Sequence, residues 1–452
     1  MAAGPLPTMT AVDNTIDYMD QGSFLGLRAL GHGPVIQWSW VYDHEVDFDG
    51  LRRFHHNLRR GLLGRRLEVS PLPFGRHRWI TDSTPNEIEV AAAAIPRAEV
   101  PAWLDAQSLL PIDPEHGPVF RISVQPLIGG GAAVTLVASH TVVDGVGLVI
   151  AITEAARGIT RDLPYPEAGS RTKGTALLED WRVIVRSVPL MAKSVVAAGR
   201  LARNRGDSVN QSVKRSRGEQ PGSDRVVTVP AVTVRVAIDE WDRRAERLGG
   251  TQNSLFHGFT ARLGHNLGWV GADGLVTLSV PVNERQPEDD NRGNALTGVT
   301  MTADPAEVIG DLTGVRAALK TALSGLKESR HELLAPLPLV PLVPTRLARR
   351  LEGMVFNEKV VGSSNVSDMD PMANRPDGTD AEWFAARMAE RLTAADLRRS
   401  DGVFYPVVSG RINGYVYLSI GYSNAAASNT RDELIETARR TLVDMGLSGT
   451  VE

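Results

Sequence analysis

The chain has 452 residues, a formal net charge of −4 and 42% hydrophobic residues, as expected for a soluble protein of about two domains. It has no cysteine, which excludes disulfides, thiolate metal sites and a cysteine nucleophile. The mildly acidic balance gives no general attraction to nucleic acid, and no stretch approaches the ~18 uninterrupted apolar residues of a membrane span, so the sequence predicts a cytoplasmic protein.

The first predicted elements are a strand and a helix. IQWSWVY, residues 36–42, has an apolar residue at every second position, which is typical of a half-buried strand. Apolar residues then recur at helical spacing over residues 51–62, and Asp49 is the expected N-cap.

A hairpin is predicted next. Alternating patterns over residues 120–125 and 134–140 are separated by the glycine-rich IGGGA, and the second strand ends in VASHTVVDGVG. Strand alternation places His140 on the inner face and directs Ser139 to the opposite, outward side. Because a helical pattern follows, His140 is expected in a strand-loop-helix junction.

Composition changes between residues 181 and 217, where nine basic residues accompany one acid, Asp207. The later part, residues 206–224, is polar and rich in turn formers, so it is the best candidate for an interdomain linker. Pro189 argues against one long membrane-lying helix in this region.

The second half again mixes strands and helices. Strands are predicted at residues 226–236, 276–282 and 415–422, and a helix at residues 254–267. The proline-rich LLAPLPLVPLVP, residues 333–344, cannot form a regular helix and is either a packed connector or a lid over an apolar cavity. The order of elements favours two α/β halves.

His140 is the most promising chemical group. A neutral imidazole suits general-base work and could take a proton from a hydroxyl or amine that attacks an activated acyl group. A polar strand-end residue is the alternative role. Asp144 either orients the imidazole or holds the loop through an arginine, and spacing does not choose between them. No set of metal ligands at suitable spacing and no phosphate-binding loop is found, so no metal site is predicted.

The surrounding residues carry a family resemblance. SHTVVDGVG resembles the HxxxDG signature of the coenzyme A-dependent acyltransferase superfamily, which includes chloramphenicol acetyltransferase and peptide-synthetase condensation domains. Further stretches are similar, in the same order, to the wax ester synthase/diacylglycerol acyltransferase branch. These are YMDQGSFL, VDFDGLRRFHHNL, PIDPEHGPVFRI, TQNSLFHGFTARLGHNL, VPVNERQPEDDNRGN and SSNVSD. Ser139 and Ser254 depart from that branch, which has a histidine and an aspartate there.

The resemblance implies a fold and a division of the chain. We expect an α/β (α+β) protein of two chloramphenicol acetyltransferase-like domains, arranged as a pseudo-dimer around a central channel. The N-terminal domain with the HxxxDG motif is expected at residues 1–185, a basic crossover and linker at 186–224, and the C-terminal domain at 225–452.

The resemblance also implies roles for single residues. His140 would be the catalytic base in the channel. Asp144 would be structural and pair with Arg285 of PVNER, and Gly145 would keep the channel open. A weaker expectation is that the adjacent pair Ser364 and Asn365, near the domain crossover, binds the acceptor or the oxyanion.

The function that the resemblance implies is acyl transfer from an acyl-coenzyme A thioester to a hydroxyl acceptor, such as a lipid alcohol, a glyceride or a specialised metabolite. No metal and no permanently bound cofactor is expected. One alternative is a free-standing condensation enzyme that takes its acyl group from the phosphopantetheine of a carrier protein and makes an ester or an amide. Another is a non-catalytic protein that binds acyl ligands.

The basic run between residues 181 and 217 has three interpretations. It could be a solvated helix and linker, a site for the phosphates of coenzyme A, or a contact with an anionic membrane surface. Peripheral membrane association therefore stays open from the sequence.

Overall fold

A computed structural model describes residues 13–161, 163–204, 225–286, 290–348, 359–400, 402–425 and 429–452. The linker predicted at residues 206–224 lies outside these residues. The helices are α1 (Tyr18–Leu30), α2 (Phe48–Leu58), α3 (Val100–Ser108), α4 (Gly145–Ala156), α5 (Lys173–Asn204), α6 (Ile238–Arg247), α7 (Gln252–Asn266), α8 (Thr313–Leu334), α9 (Ala394–Arg399) and α10 (Arg431–Asp444). Short 3-10 helices lie at Arg97–Glu99, Glu307–Ile309, Leu337–Leu342 and Pro371–Asn374.

The strands follow the same chain order. They are β1 (Val35–Tyr42), β2 (Arg65–Glu68), β3 (Arg78–Thr81), β4 (Glu89–Val90), β5 (Phe120–Pro126), β6 (Ala132–Ser139), β7 (Val226–Val227), β8 (Ala231–Ala237), β9 (Val276–Asn283), β10 (Leu296–Ala303), β11 (Val360–Asp368), β12 (Trp383–Ala389), β13 (Leu392–Thr393), β14 (Val403–Phe404), β15 (Val407–Ile412), β16 (Tyr415–Ser423) and β17 (Thr450–Val451).

The first large sheet has the strand order β12-β1-β6-β5-β4. Strand β1 lies between β6 and β12, antiparallel to both, and is buried along its whole length. Trp38 and Trp40 pack in one core with apolar residues of α2 and α4, whereas Val41 faces a second core that includes Leu104 of α3. Strand β12 belongs to the second half of the chain, so residues 225–452 contribute a strand to the sheet that carries His140.

The second large sheet has the order β10-β9-β11-β15-β16-β8-β17, with β14 paired to β16. Helix α7 packs on it through the predicted apolar stripe, which includes Leu255, Phe259 and Leu263. Thr251 caps this helix, because its side chain accepts a hydrogen bond from the backbone of Ser254 while the Ser254 hydroxyl bonds back to Thr251.

The N-cap expected at Asp49 is wrong by two residues. Asp47 caps α2, and its carboxylate accepts from the backbone N–H groups of Asp49 (2.9 Å) and Gly50 (3.1 Å). The helix begins before the first periodic apolar residue, so Asp49 lies in the first turn. There its charge still suits the positive end of the helix dipole.

The outward direction expected for Ser139 is also wrong. Ser139 is 2% exposed, and its Oγ accepts from the backbone N–H of Thr141 at 3.3 Å. Every residue of β6 is buried, because this inner strand has packed layers on both faces. Alternation along such a strand separates two cores, not core from solvent.

Proline was expected to interrupt helices in two places. At Pro189 it does not, since α5 continues through it. Pro189 is exposed, so solvent can satisfy the carbonyl group that loses its helical donor. The proline-rich stretch instead forms the 3-10 helix Leu337–Leu342 after α8 ends. Within the described ranges, the length and hydropathy of the helices identify no membrane-spanning candidate.

Candidate active site

His140 lies in the turn between β6 and α4. Its backbone N–H donates to the carbonyl of Pro34 at 3.1 Å. Thr141, the next residue, shares a 3.0 Å hydroxyl hydrogen bond with Ser23 of α1. At the other end of the turn, Asp144 is the N-cap of α4. The turn is therefore fixed to its neighbours at several points and does not depend on its own sequence alone.

The Asp144 carboxylate is shared by three donors. Oδ1 accepts from the backbone N–H of Gly147 at 2.6 Å, which caps α4. Oδ2 accepts from Nη2 of Arg285 at 2.9 Å and from the backbone N–H of Ala295 at 2.7 Å. These bonds join the turn to residues 285–295, so Asp144 and Arg285 are in contact as the resemblance implies.

Arg285 organises the loop around itself. Its Nη1 donates to the carbonyls of Asp290 (3.1 Å) and Arg292 (2.9 Å), and its Nη2 donates to the carbonyl of Gly293 (3.1 Å) as well as to Asp144. The guanidinium side chain is only 2% exposed. Because the loop folds around this buried cation, the next residue, Asn294, lies beside His140.

Asn294 is the side chain that contacts the imidazole. Its Oδ1 lies 3.1 Å from Nδ1 of His140, and its Nδ2 lies 3.1 Å from the His140 carbonyl and 3.0 Å from Oδ1 of Asp20. The carbonyl can only accept, and so can an ionised Asp20, which requires the amide nitrogen on that side. Oδ1 of Asn294 therefore accepts from Nδ1–H, and this tautomer leaves the lone pair of His140 on Nε2.

Asp20 anchors this arrangement from α1. Its carboxylate is buried and also accepts from the backbone N–H groups of Gly293 (3.0 Å) and Asn294 (2.6 Å). Burial raises the pKa of Asp20 from 3.8 to about 6, against the hydrogen bond from Asn294 and the charge of Arg65, which lower it. The carboxyl group is thus ionised at neutral pH, and the groups that surround it are donors.

Arg65 is a second buried cation near the turn. It is 0% exposed, donates to the carbonyl of Val142 at 3.2 Å and to that of Asn291, and stacks over Trp79 with 4.2 Å to the ring centroid. Arg65 therefore also links the turn to the loop of residues 290–295, and its positive charge acts on Asp20.

The two glycines of the motif have different surroundings. A Cβ atom on Gly145 would meet only Val366 of β11, at 3.9 Å. On Gly147 it would lie 2.9 Å from Nη2 of Arg285 and 2.9 Å from Cγ2 of Val143. Gly147 is therefore needed for the approach of the arginine, whereas Gly145 faces the strand that carries the predicted acceptor-binding residues.

Ser364 and Asn365 lie on β11, opposite β15. The Asn365 side chain donates to Oδ1 of Asn253 in α7 at 2.9 Å and accepts from the backbone N–H of Ser367 at 2.8 Å. Ser367 has a φ of 60°, so Asn365 stabilises a left-handed turn at the end of the strand. These bonds join β11 to α7, and they do not connect Asn365 to His140.

Like Arg65, Asp20 and Asn294 are site residues that the sequence analysis did not single out. Both lie within quoted stretches, YMDQGSFL and VPVNERQPEDDNRGN, but 274 positions separate them. The available signal was the presence of a single acid in the first stretch and an asparagine after glycine in the second. Neither feature shows that Asp20 and Asn294 are in contact, which becomes visible only when the fold is known.

Two further observations concern ligands. In the described residues, no cluster of three or more histidine and carboxylate side chains is suited to hold a metal ion. A cavity of about 300 Å³ is lined by Arg78, Tyr165, Arg171 and Glu179, among others, and by none of the predicted site residues. The channel expected around His140 stays a prediction.

Solved structures with the same architecture exist. The first condensation domain of the CDA synthetase matches with a TM-score of 0.54 and 14% identity, covering 98% of this chain and 100% of that domain. The chain has the fold of a condensation domain. The match runs through both large sheets, and its low identity makes it evidence for the fold alone.

Two other structures support the same fold. The starter condensation domain of rhizomide synthetase, solved as a mutant in complex with C8-CoA, matches with a TM-score of 0.51, 14% identity and coverage of 96% of this chain and 94% of that one. Polyketide synthase associated protein 5 from Mycobacterium tuberculosis matches with a TM-score of 0.50, 14% identity and coverage of 94% and 98%. The chain significantly matches no protein-family model and no curated protein sequence.

Proposed function

We propose that this protein is an acyltransferase in which His140 is the general base. Nε2 takes the proton of the acceptor's hydroxyl group while the hydroxyl oxygen attacks the carbonyl carbon of an acyl thioester. The new C–O bond forms, the C–S bond breaks, and the proton passes from Nε2 to the departing thiolate. The observation that carries this proposal is the hydrogen bond from Nδ1 to Asn294, because it leaves Nε2 free to accept a proton.

The donor proposed is acyl-coenzyme A. Support comes from the shared fold with a starter condensation domain that was solved with C8-CoA. The acceptor class is a hydroxyl compound, either a lipid alcohol or glyceride or a specialised metabolite. Chemistry by direct transfer fits a chain without cysteine, because the histidine assists the attack and forms no covalent acyl intermediate.

Within this fold we place the chain nearest the wax ester synthase/diacylglycerol acyltransferase branch, on the stretches quoted above. One of these stretches gains a physical role, since Asp20 of YMDQGSFL holds Asn294 against His140. Gly145 is proposed to keep the acceptor side of the site open. Ser364 and Asn365 are proposed to bind acceptor or oxyanion through the end of β11, which faces Gly145 through Val366.

A second candidate is a free-standing condensation enzyme with a carrier-protein-bound donor. The observation in its favour is that the solved structures of this fold include condensation domains covered over their whole length. In that case the acyl group arrives on phosphopantetheine, and the acceptor is an amine or a hydroxyl. The same histidine chemistry serves both candidates, so the donor is what separates them.

The decisive experiment is a mass-spectrometric assay of acyl-coenzyme A and acyl-phosphopantetheinyl carrier protein with alcohols, glycerides and amines. Wild-type protein should form ester from acyl-coenzyme A, and His140→Ala should reduce the rate by about 100-fold or more. His56→Ala, which removes an exposed histidine of α2, is the matched control and should have wild-type activity.

Three outcomes would contradict the leading proposal. Wild-type turnover by His140→Ala would exclude His140 as the base. Product formed only from the carrier protein would favour the condensation enzyme. Tight binding of acyl ligands with no product from any donor would favour a non-catalytic binding protein.

A further inference from the structure

Helix α5 presents a continuous apolar face to solvent. We define the α5 stripe as Leu178, Trp181, Val185, Val188, Val195 and Val196, each between 51% and 60% exposed. The first five follow one another at spacings of three, four or seven residues, and Val196 lies 18 residues, or about five full turns, after Leu178. All six therefore lie on one side of the helix, and from first to last they span about 27 Å. An exposed patch of this size on a protein surface marks an interaction site.

The opposite side of α5 is the side attached to the protein. Ala176, Asp180, Met191 and Ser194 are buried there, and the Asp180 carboxylate accepts from the hydroxyl of Ser70. The helix also packs against the 3-10 helix Leu337–Leu342. The α5 stripe is thus directed outward by a helix whose inner side is already fixed.

Basic residues border the α5 stripe. Arg182, Arg186 and Lys193 are exposed and, at spacings of four and seven residues, form one row beside it. The helix contains no acid after Asp180. Asp180 itself is neutralised, because Arg171 lies 3.0 Å from its carboxylate. Glu179, the other acid of the helix, lies 3.4 Å from Arg171 and is paired with it. The surface therefore combines an apolar stripe with charge that is predominantly positive.

We propose that α5 docks the protein on an anionic lipid surface. The valine, leucine and tryptophan side chains would enter the boundary between headgroups and acyl chains, and the basic row would lie at the depth of the phosphates. Trp181 suits this position, since indole rings favour the membrane interface. A second copy packed face to face and antiparallel would place the basic rows of both helices on one side of the interface, where they repel. The positive row therefore favours a negative lipid surface as the occupant.

The test is co-sedimentation of the full chain with vesicles of phosphatidylcholine alone and of phosphatidylcholine mixed with phosphatidylglycerol. Binding is expected to the mixed vesicles and should weaken with added salt.

Val185→Ser combined with Val188→Ser should weaken binding by about 10-fold or more, because two apolar side chains no longer enter the lipid. Arg182→Glu combined with Arg186→Glu should weaken binding to the mixed vesicles only. Val443→Ser, at an exposed apolar position on α10, is the control and should bind as wild type.

A second measurement follows Trp181 directly. Mixed vesicles should shift the tryptophan emission of the wild type to shorter wavelength, and Trp181→Phe should lose this shift while it keeps its unfolding midpoint. Equal binding to both kinds of vesicle, or binding unchanged by the stripe variants, would overturn the proposal. So would a dimer in sedimentation velocity that the valine variants dissociate, with no vesicle binding, because a second copy would then cover the stripe. The proposal does not rest on the activity, and His140→Ala should bind vesicles as wild type.

Discussion

Asp144 and Arg285, 141 residues apart in the chain, form a buried ion pair with 2.9 Å between Oδ2 and Nη2. The pair joins the turn after β6 to the loop before β10. The same carboxylate oxygen also accepts from the backbone of Ala295, and the same Nη2 donates to the carbonyl of Gly293. Neither charge is solvated, so each depends on the other and on these backbone groups.

Removal of Asp144 should therefore destabilise the fold strongly. We expect Asp144→Ala to lower the free energy of unfolding by about 3–5 kcal/mol, because it leaves a buried guanidinium and two backbone N–H groups without their acceptor. Urea unfolding followed by circular dichroism measures this. Asp49→Ala, which removes one partner of an exposed pair with Arg52, should have little effect. Equal effects of the two substitutions would show that the buried pair does not hold the loop.

Asn294 should act on the orientation of His140 more than on substrate binding. In Asn294→Ala the imidazole loses the acceptor for Nδ1–H, so we expect kcat to fall by about 10- to 100-fold with little change in KM. Nitrogen NMR of the histidine side chains gives a readout that is independent of turnover, with the His140 signal identified by its absence in His140→Ala. The wild type should show the Nδ1–H tautomer, and Asn294→Ala should show a mixture. An unchanged tautomer would contradict the positioning role.

Periodicity located the elements around this site well. The alternating stretch at residues 36–42 is β1, and the helix expected at residues 254–267 is α7, which begins two residues earlier and ends one residue earlier. Both have a strong apolar pattern, although β1 is buried on both faces and is not the half-buried strand that the sequence predicts. The same logic was wrong for Ser139, because alternation shows that two faces differ in neighbours but cannot show that both are covered.

The partners of His140 could not be predicted from local pattern. Asn294 reaches the imidazole because Arg285 folds the loop of residues 290–295 around itself, and Asp20 meets that loop from a helix near the other end of the chain. Such contacts depend on how the two sheets are placed together. The pairing of β12 with β1 in the first sheet could not be predicted either, because nothing in the sequence of β12 indicates which strand lies beside it.

Asp20 should make stability depend on pH in a defined direction. Its pKa in the folded protein is raised from 3.8 to about 6 by burial, so between these values the folded state binds more protons than the unfolded state. The contribution of Asp20 to the free energy of unfolding should then decrease as pH rises from 4 to 7, by about 2 kcal/mol in total.

The comparison of wild type with Asp20→Asn isolates this contribution. Asparagine does not titrate, so its effect on the surrounding hydrogen bonds adds a nearly constant offset. The measurement is the free energy of unfolding in urea at pH 4, 5, 6 and 7, with the difference between the two proteins plotted against pH. A difference that is flat across this range would show that Asp20 keeps its ordinary pKa in the folded state.

The two glycines of the HxxxDG motif should respond differently to alanine. At Gly147 a Cβ would lie 2.9 Å from Nη2 of Arg285 and from Cγ2 of Val143, which is closer than packed atoms approach. We expect Gly147→Ala to lower the free energy of unfolding by about 1–3 kcal/mol, because the ion pair between Arg285 and Asp144 must shift.

At Gly145 the nearest atom is Val366 Cγ1 at 3.9 Å, so alanine fits at the first position of α4. Gly145→Ala should therefore leave the free energy of unfolding unchanged or raise it by up to about 1 kcal/mol. Parallel urea titrations of the two variants test this, and a Gly145→Ala variant as unstable as Gly147→Ala would show that the turn is packed differently. Since Gly145→Ala should fold normally, any loss of its acyl transfer would be attributable to the methyl group in the space between the turn and β11.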